Sequence, residues 1–422
     1  FEEGQWEETV ESGITFKFNY ATMPHVLIRQ ADGNFRFARV DGDTYTASGQ
    51  SFDLPKWGER TVGDLISAPN PSFIGRNINN VFFFRNRLGF LAGDNVILSR
   101  VSEFFNFFPE TVISVLDSEP IDVAASHTKV AILRSAVTIG ERLILFSEQT
   151  QFVLTASADN LTPKTANVLV ATEFESSADA NPVGSGTSIY FLTKKGSFAG
   201  VREYIIQGEQ QIRDAANITI HVPRLIPSNI YKMAVSNNQD VLVLLGSDNP
   251  NKLYVNRWLY GDGFAKQLNA WFTFTINPNR SILNVDFIGT DLFAVIQEAN
   301  KVTLEKIPFE TDFREPNSNF EFHLDHKVTE ATTGVSVAFS SGVTTFTVPY
   351  RLRANMSVIG RYLGSGETST FVDANGQTKT LTAGQVIQTT NSTDGSTSTI
   401  TATGDFRNSK FIIGEPYEMH YR

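Results

Sequence analysis

At 422 residues the chain is longer than a single hydrophobic core supports, so two or three domains are expected. It contains no cysteine, which excludes a disulfide framework, thiolate chemistry and Cys-based zinc sites. Its 35 Lys plus Arg against 45 Asp plus Glu give a net charge of -10, which disfavours a general nucleic-acid binder while permitting a surface past which DNA slides without sticking.

The 34 Phe against 4 Met favour strands, and the 30 Gly and 16 Pro are spread along the chain as turn punctuation. No apolar run reaches the roughly 18 residues that a membrane-crossing helix needs. The opening Phe1-Glu2-Glu3-Gly4 shows neither Met nor signal peptide, and with the abrupt close at His420-Tyr421-Arg422 it reads as a piece of a longer polypeptide.

In chain order, the first hairpin is His25-Val26-Leu27-Ile28-Arg29, a turn at Asp32-Gly33, and Phe35-Arg36-Phe37. It could be a blade of its own or part of another domain. A weak repeat follows. Short apolar runs aligned on Leu88, Leu143, Ile189, Val241 and Leu292 each lead through a polar or Gly-containing turn into a second strand. A period near 50 residues with several strands per unit fits β-propeller blades, while helical solenoids repeat at shorter intervals with a 3.6 period. Five or six blades are expected over residues 76–315, with residues 1–75 as a partial N-terminal β region. Chance spacing of hairpins in an ordinary β-sandwich is the alternative, because the copies share pattern and not identity.

The exception is residues 122–137, where Val123, His127, Val130, Leu133 and Val137 fall at helical spacing behind Pro120 and a capping Asp122. One or two short helices are therefore expected in an otherwise all-β chain. From about Phe320 the sequence turns rich in Ser, Thr and Gly, with thin alternating strands around Phe346, Thr380 and Ile400 and turns at Asn375-Gly376 and Asp394-Gly395. A small β-sandwich or barrel domain is expected over 316–422, after a junction at residues 310–319.

Active-site grammar is sparse. Gly184-Ser185-Gly186 leads into a strand and not into the helix that a phosphate cradle requires. His323 and His326 lie in alternating sequence, which places them on opposite faces of a strand and not on one metal. His25, His127, His221 and His420 are scattered singly. The carboxylate pairs Glu173/Glu175, Asp117/Glu119 and Asp312/Glu315 are the candidates for glycoside hydrolysis, and all sit near turns where solvated carboxylates are ordinary. Ser392-Thr393-Asp394-Gly395 does not make a sialidase-type Asp box, and no Gly-x-Ser-x-Gly elbow is present. The run from Val81 through Phe82, Phe83, Phe84, Arg85 and Arg87 to Phe90 lacks the core of an RNA-stacking strand; it reads as a buried blade strand with arginines at the rim or pairing between blades. Phe104-Phe105-Asn106-Phe107-Phe108 reads as core or subunit interface. No catalytic, cofactor or metal residue is assigned.

Four ordered blocks carry a family resemblance: Pro69-Asn70-Pro71-Ser72-Phe73-Ile74-Gly75-Arg76, then Phe84 through Arg100, then Phe105-Asn106-Phe107-Phe108, then Leu116-Asp117-Ser118-Glu119-Pro120-Ile121-Asp122. With Met23-Pro24-His25, Ala270-Trp271 and Glu415-Pro416-Tyr417, they resemble the tail tubular protein B, or nozzle, family of T7-like short-tailed phages. Members are longer, so the resemblance implies a central fragment. It also implies a propeller-like domain and a homo-hexameric virion nozzle below the adaptor ring of tail tubular protein A. Tail fibres would dock near that junction and phage DNA would pass through the lumen. The resemblance supplies no catalytic residues. A carbohydrate-binding or carbohydrate-hydrolysing propeller of a phage tail is the alternative. If the strand that closes the propeller lies outside the chain, an open edge is expected.

Overall fold

The computed structural model describes residues 7–47, 49–128, 131–156, 160–205, 215–261, 266–309, 322–351, 356–394 and 397–420. The chain divides into two compact units, Phe1–Phe309 and Glu310–Arg422. The described residues contain strands and no helix. The junction expected at 310–319 and the pair Asp312/Glu315 lie outside them.

The first unit is built from successive antiparallel sheets, each of neighbours in sequence. Blade 1 comprises Ile78–Phe84, Arg87–Ala92, Asn95–Leu98 and Ile121–Ala124. Blade 2 comprises Ser135–Ile139, Arg142–Phe146, Gln151–Ala156 and Ala166–Thr172. Blade 3 is formed by Val183–Ser185, Ser188–Lys195, Phe198–Ile205 and Ala216–Asn217. Blade 4 has Ile230–Ser236, Val241–Gly246, Lys252–Tyr260 and Lys266–Thr275, and blade 5 has Arg280–Ile288, Asp291–Glu298 and Lys301–Pro308. This is a propeller-like series, and every repeat found in the sequence is the second strand of its blade.

The reason is packing. Along a second strand alternate side chains face the two neighbouring blades, so both faces are buried and the sequence becomes an uninterrupted apolar run. Leu143 and Leu145 join the core with blade 1, while Ile144 and Phe146 join the core with blade 3. Tyr190 and Leu192 likewise face blade 4, where Leu242 and Leu244 meet them. Val241, Val243 and Leu245 turn the other way, onto Leu292, Ala294 and Ile296 of blade 5.

Blade 5 breaks the pattern. Phe293 and Val295 on its other face are only half-buried, and Val302 and Leu304 beside them are exposed. Among the described residues no strand pairs with the free edge of Lys301–Pro308, so blade 5 is open there.

The helix expected over 122–137 is not formed. Its first residues are the fourth strand of blade 1, with Val96 opposite Val123 and Leu98 opposite Ile121, and its last are the first strand of blade 2. Ala131 and Leu133 between them are buried in the core shared by blades 1 and 2. Ladder pairing satisfies both backbones while Leu133 is buried and Val123 packs partly against the same core, so tertiary context overrides the local 3.6-residue spacing; Val130 lies outside the described residues. The early hairpin is a separate two-stranded sheet, Val26–Arg29 with Phe35–Ala38, not a further four-stranded blade.

The second unit is a two-sheet sandwich. Leu324–Thr329, Phe411–Pro416, Ser357–Gly360 and Val386–Ile387 form one sheet; Ser336–Ser340, Val343–Val348, Thr397–Thr403 and Thr390–Asp394 form the other. Phe346, Val348 and Ile400 of one sheet pack on Val358, Phe411 and Ile413 of the other, so Thr345, Thr347, Thr399 and Thr401 fall on the outer face while Thr344 is buried on the inner one.

Candidate assembly surface

The four sequence blocks that stand apart along the chain meet around blade 1. The turn into the second strand is made by Arg85 and Asn86, both at positive φ, the two-residue hairpin geometry that suits strand twist. Asn86 carries no glycine's freedom, and its side chain is held by Ser102 Oγ at 2.6 Å. Ser72 N–H and Asn95 Nδ2 both donate to the Asp122 carboxylate, at 2.8 and 2.9 Å, tying the first block to the second and the fourth. Phe107 of the third block stacks on Phe90 at 4.9 Å, with Phe73 edge-on to both. Trp57, Phe18 and Phe108 complete this aromatic core under blade 1.

Arg87 is the centre of the knot. It is 1% exposed, and its guanidinium donates to the backbone carbonyls of Ser99, Asp117 and Glu119 at 2.6, 2.9 and 2.6 Å. Burial pulls its pKa down to about 10, still charged at neutral pH. The rim or inter-blade role expected for both arginines of the run holds only for Arg85, which lies 3.6 Å from Glu141 of blade 2. Arg87 points inward instead, because the loop between the third and fourth strands of blade 1 folds back and presents three carbonyls that need donors.

That loop is pinned at a second point. The buried Glu119 carboxylate accepts the Glu110 N–H at 2.9 Å, and burial raises its pKa. Arg100 bridges Glu103 and Glu110 alongside. Between the pins the loop turns apolar side chains outward: Val112, Ile113, Val115 and Leu116, with Ile113 84% exposed. Gly63, whose position leaves 2.7 Å between a notional Cβ and Val112, brings up a second loop bearing Leu65 and Ile66, the latter 90% exposed. This second loop is stiffened by Asp64, which accepts from the N–H groups of Ile66 and Ser67. Two braced loops thus hold apolar side chains out in solvent, with the Gly63 loop lying against Val112 of the other.

Phe83 is exposed against Phe104, and only Phe84 of that strand is fully buried. Gly186 at positive φ makes the turn between the first two strands of blade 3, with no helix behind it. Glu119 supports a loop, and Asp117 contributes its carbonyl to Arg87. Glu173 lies 3.4 Å from His127. His326 sits at positive φ on a bulge, its ring edge-on to Tyr350, while His323 meets the Tyr417 hydroxyl at 3.1 Å. Among the described residues no group of three His, Asp or Glu is placed to hold a metal.

Two residues escaped the sequence reading. Glu203 of blade 3 and Lys266 of blade 4 form a buried ion pair among aromatic rings. Their wide separation in sequence left no spacing signal.

Residues 1–422 match the family described as bacteriophage nozzle protein. Over 305 residues the chain is 35% identical to tail tubular protein gp12 of Escherichia phage T7, which covers 72% of this chain and 36% of that protein. The chain thus spans little more than a third of that relative's length. Among solved structures, the WD40 domain of Toxoplasma gondii coronin superposes with a TM-score of 0.36 at 11% identity, covering 66% of this chain and 67% of that one. The Neurospora crassa Pan2 WD40 domain gives 0.32 at 12% identity, covering 95% and 92%. Superpositions this loose carry no argument, and the fold rests on the strand pairing itself.

Proposed function

The chain belongs to the bacteriophage nozzle protein family, and on that premise we propose that it forms part of the wall of a DNA-conducting tail nozzle. It acts as a homo-hexamer seated on tail tubular protein A, with tail fibres docked near the junction and the genome passing through without sequence-specific binding. On this reading the region up to residue 75 is a partial N-terminal β region, the blades from Ile78 to Pro308 are the propeller-like domain, and the strands from Leu324 to Pro416 are a separate β-sandwich. The protein works by being in place, without a catalytic site, and it joins the tail during assembly in the host cytoplasm.

The observation that carries this reading is the pair of exposed residues Ile113, on a loop fixed by Arg87 and Glu119, and Ile66, on a loop stiffened by Asp64. Ordering two loops costs conformational entropy. A monomer gains nothing in exchange, whereas a subunit contact does. The charge supports it too: six copies at -10 place a strongly negative field around an axis, which repels a phosphate backbone and keeps DNA moving.

Electron microscopy of the full-length protein mixed with its adaptor ring tests the proposal. Rings joined to the adaptor are the expected result; persistent monomers that never join tails would overturn it.

A further inference from the structure

The core between blades 3 and 4 is largely apolar, and it holds one buried ion pair. Glu203, on the strand Phe198–Ile205, is 2% exposed, and Lys266, first residue of Lys266–Thr275, has a side chain 14% exposed. Lys266 Nζ lies 2.6 Å from Glu203 Oε2. The other carboxyl oxygen, Oε1, accepts the hydroxyls of Tyr190 at 2.8 Å and Tyr260 at 3.1 Å. Around the nitrogen stand the rings of Trp258, Tyr190 and Tyr260, with centroids 4.9, 5.3 and 5.5 Å away. Beyond Glu203, Nζ has no hydrogen-bond acceptor among the described residues.

An ammonium has three donors to satisfy, and this one has a single hydrogen-bonding carboxylate, Glu203, with the Asp240 carboxylate acting on it only through its charge. Burial pulls the Lys266 pKa below its usual range, toward the free amine, against the opposing pull of Glu203. A buried pair of this kind keeps a large desolvation cost for as long as both charges remain. Condensation removes both.

We infer that Lys266 and Glu203 join as an interblade amide, Nζ bonded to Cδ, with the loss of one water. A proton passes from Nζ to Oε2, giving an amine and a carboxylic acid. The Nζ lone pair attacks Cδ while the Tyr190 and Tyr260 hydroxyls hold the negative charge that develops on Oε1. A second proton moves from nitrogen to Oε2, the Cδ–Oε2 bond breaks, and Oε2 leaves as water. Oε1 remains as the amide carbonyl, and no oxidant or outside reagent is consumed. Fixed contact supplies the proximity that amines and acids lack in solution. The bond would lock blade 3 to blade 4 in a wall that must hold while DNA is driven past it.

The aromatic rings would also suit a charged lysine, so mass is the deciding measurement. Full-length protein should weigh one water less than its sequence, and digestion should release a branched peptide joining Glu203 to Lys266. Lys266→Arg should restore the full sequence mass, and the Tyr190→Phe, Tyr260→Phe double variant should leave a measurable fraction uncondensed. Full mass in the unaltered protein, with Glu203 and Lys266 in separate peptides, would overturn the inference. So would a water loss that persists in Lys266→Arg.

Discussion

Arg87 Nη1 lies 2.6 Å from the carbonyl oxygen of Glu119, so a charge inside blade 1 fixes a loop whose apolar tip is outside it. Replacing Arg87 by Met strips donors from the carbonyls of Ser99, Asp117 and Glu119 at once. The expected loss is on the order of 3 kcal/mol in denaturant melts. Lys at the same position should recover little, because a point charge cannot span three carbonyls. Protease cleavage within 99–120 should accelerate in both variants.

Ile113→Asp should separate assembly from folding. The side chain is exposed, so the melting midpoint should move by no more than about 0.5 kcal/mol equivalent. Incorporation of the variant into tails should fall sharply, and particle counts by electron microscopy would read it. Normal incorporation would remove Ile113 from the assembly surface.

Gly89→Ala probes packing inside blade 1. A Cβ there would lie 2.4 Å from ring atoms of Phe82 and 2.9 Å from Leu98 Cδ2, so the ring must move. A destabilisation of about 1–3 kcal/mol is expected. Because the clash is with one ring, Phe82→Ala in the same chain should make the two effects less than additive.

Acid should act on the sandwich through Arg361. Its guanidinium is bidentate to Glu367 and pairs with Glu330 at 2.6 Å. The hydrogen bond from Arg361 lowers the Glu367 pKa from 4.5 to about 2. With the folded pKa below the ordinary one, the contact contributes fully above pH 4.5 and is lost as the pH falls toward about 2. Glu367→Gln should flatten the pH dependence of the melt across that window; an unchanged slope would place the acid sensitivity elsewhere.

Legibility from sequence followed how local each signal was. The run Leu143, Ile144, Leu145, Phe146 was readable because both faces of its strand are buried, leaving no polar alternation to dilute it. Phe84, Arg87, Phe107 and Asp122 were readable as a family signature without any indication of why they occur together. The stretch from Val123 to Val137 misled, because apolar spacing reports which positions are buried and not which backbone conformation buries them.

By itself, then, the sequence determined an acidic, cysteine-free, repeated β chain of the nozzle family, since composition, periodicity and ordered blocks are properties of the chain alone. Only the tertiary structure decided that Arg87 turns inward, that the Gly63 loop lies against Val112, and that Glu203 meets Lys266. The partners of Arg87 are backbone carbonyls, which every residue possesses, and two of those of Glu203, Lys266 and Tyr260, come from another blade. Neither leaves a mark on its neighbours in sequence, so the loops had to be closed in space before the contacts existed.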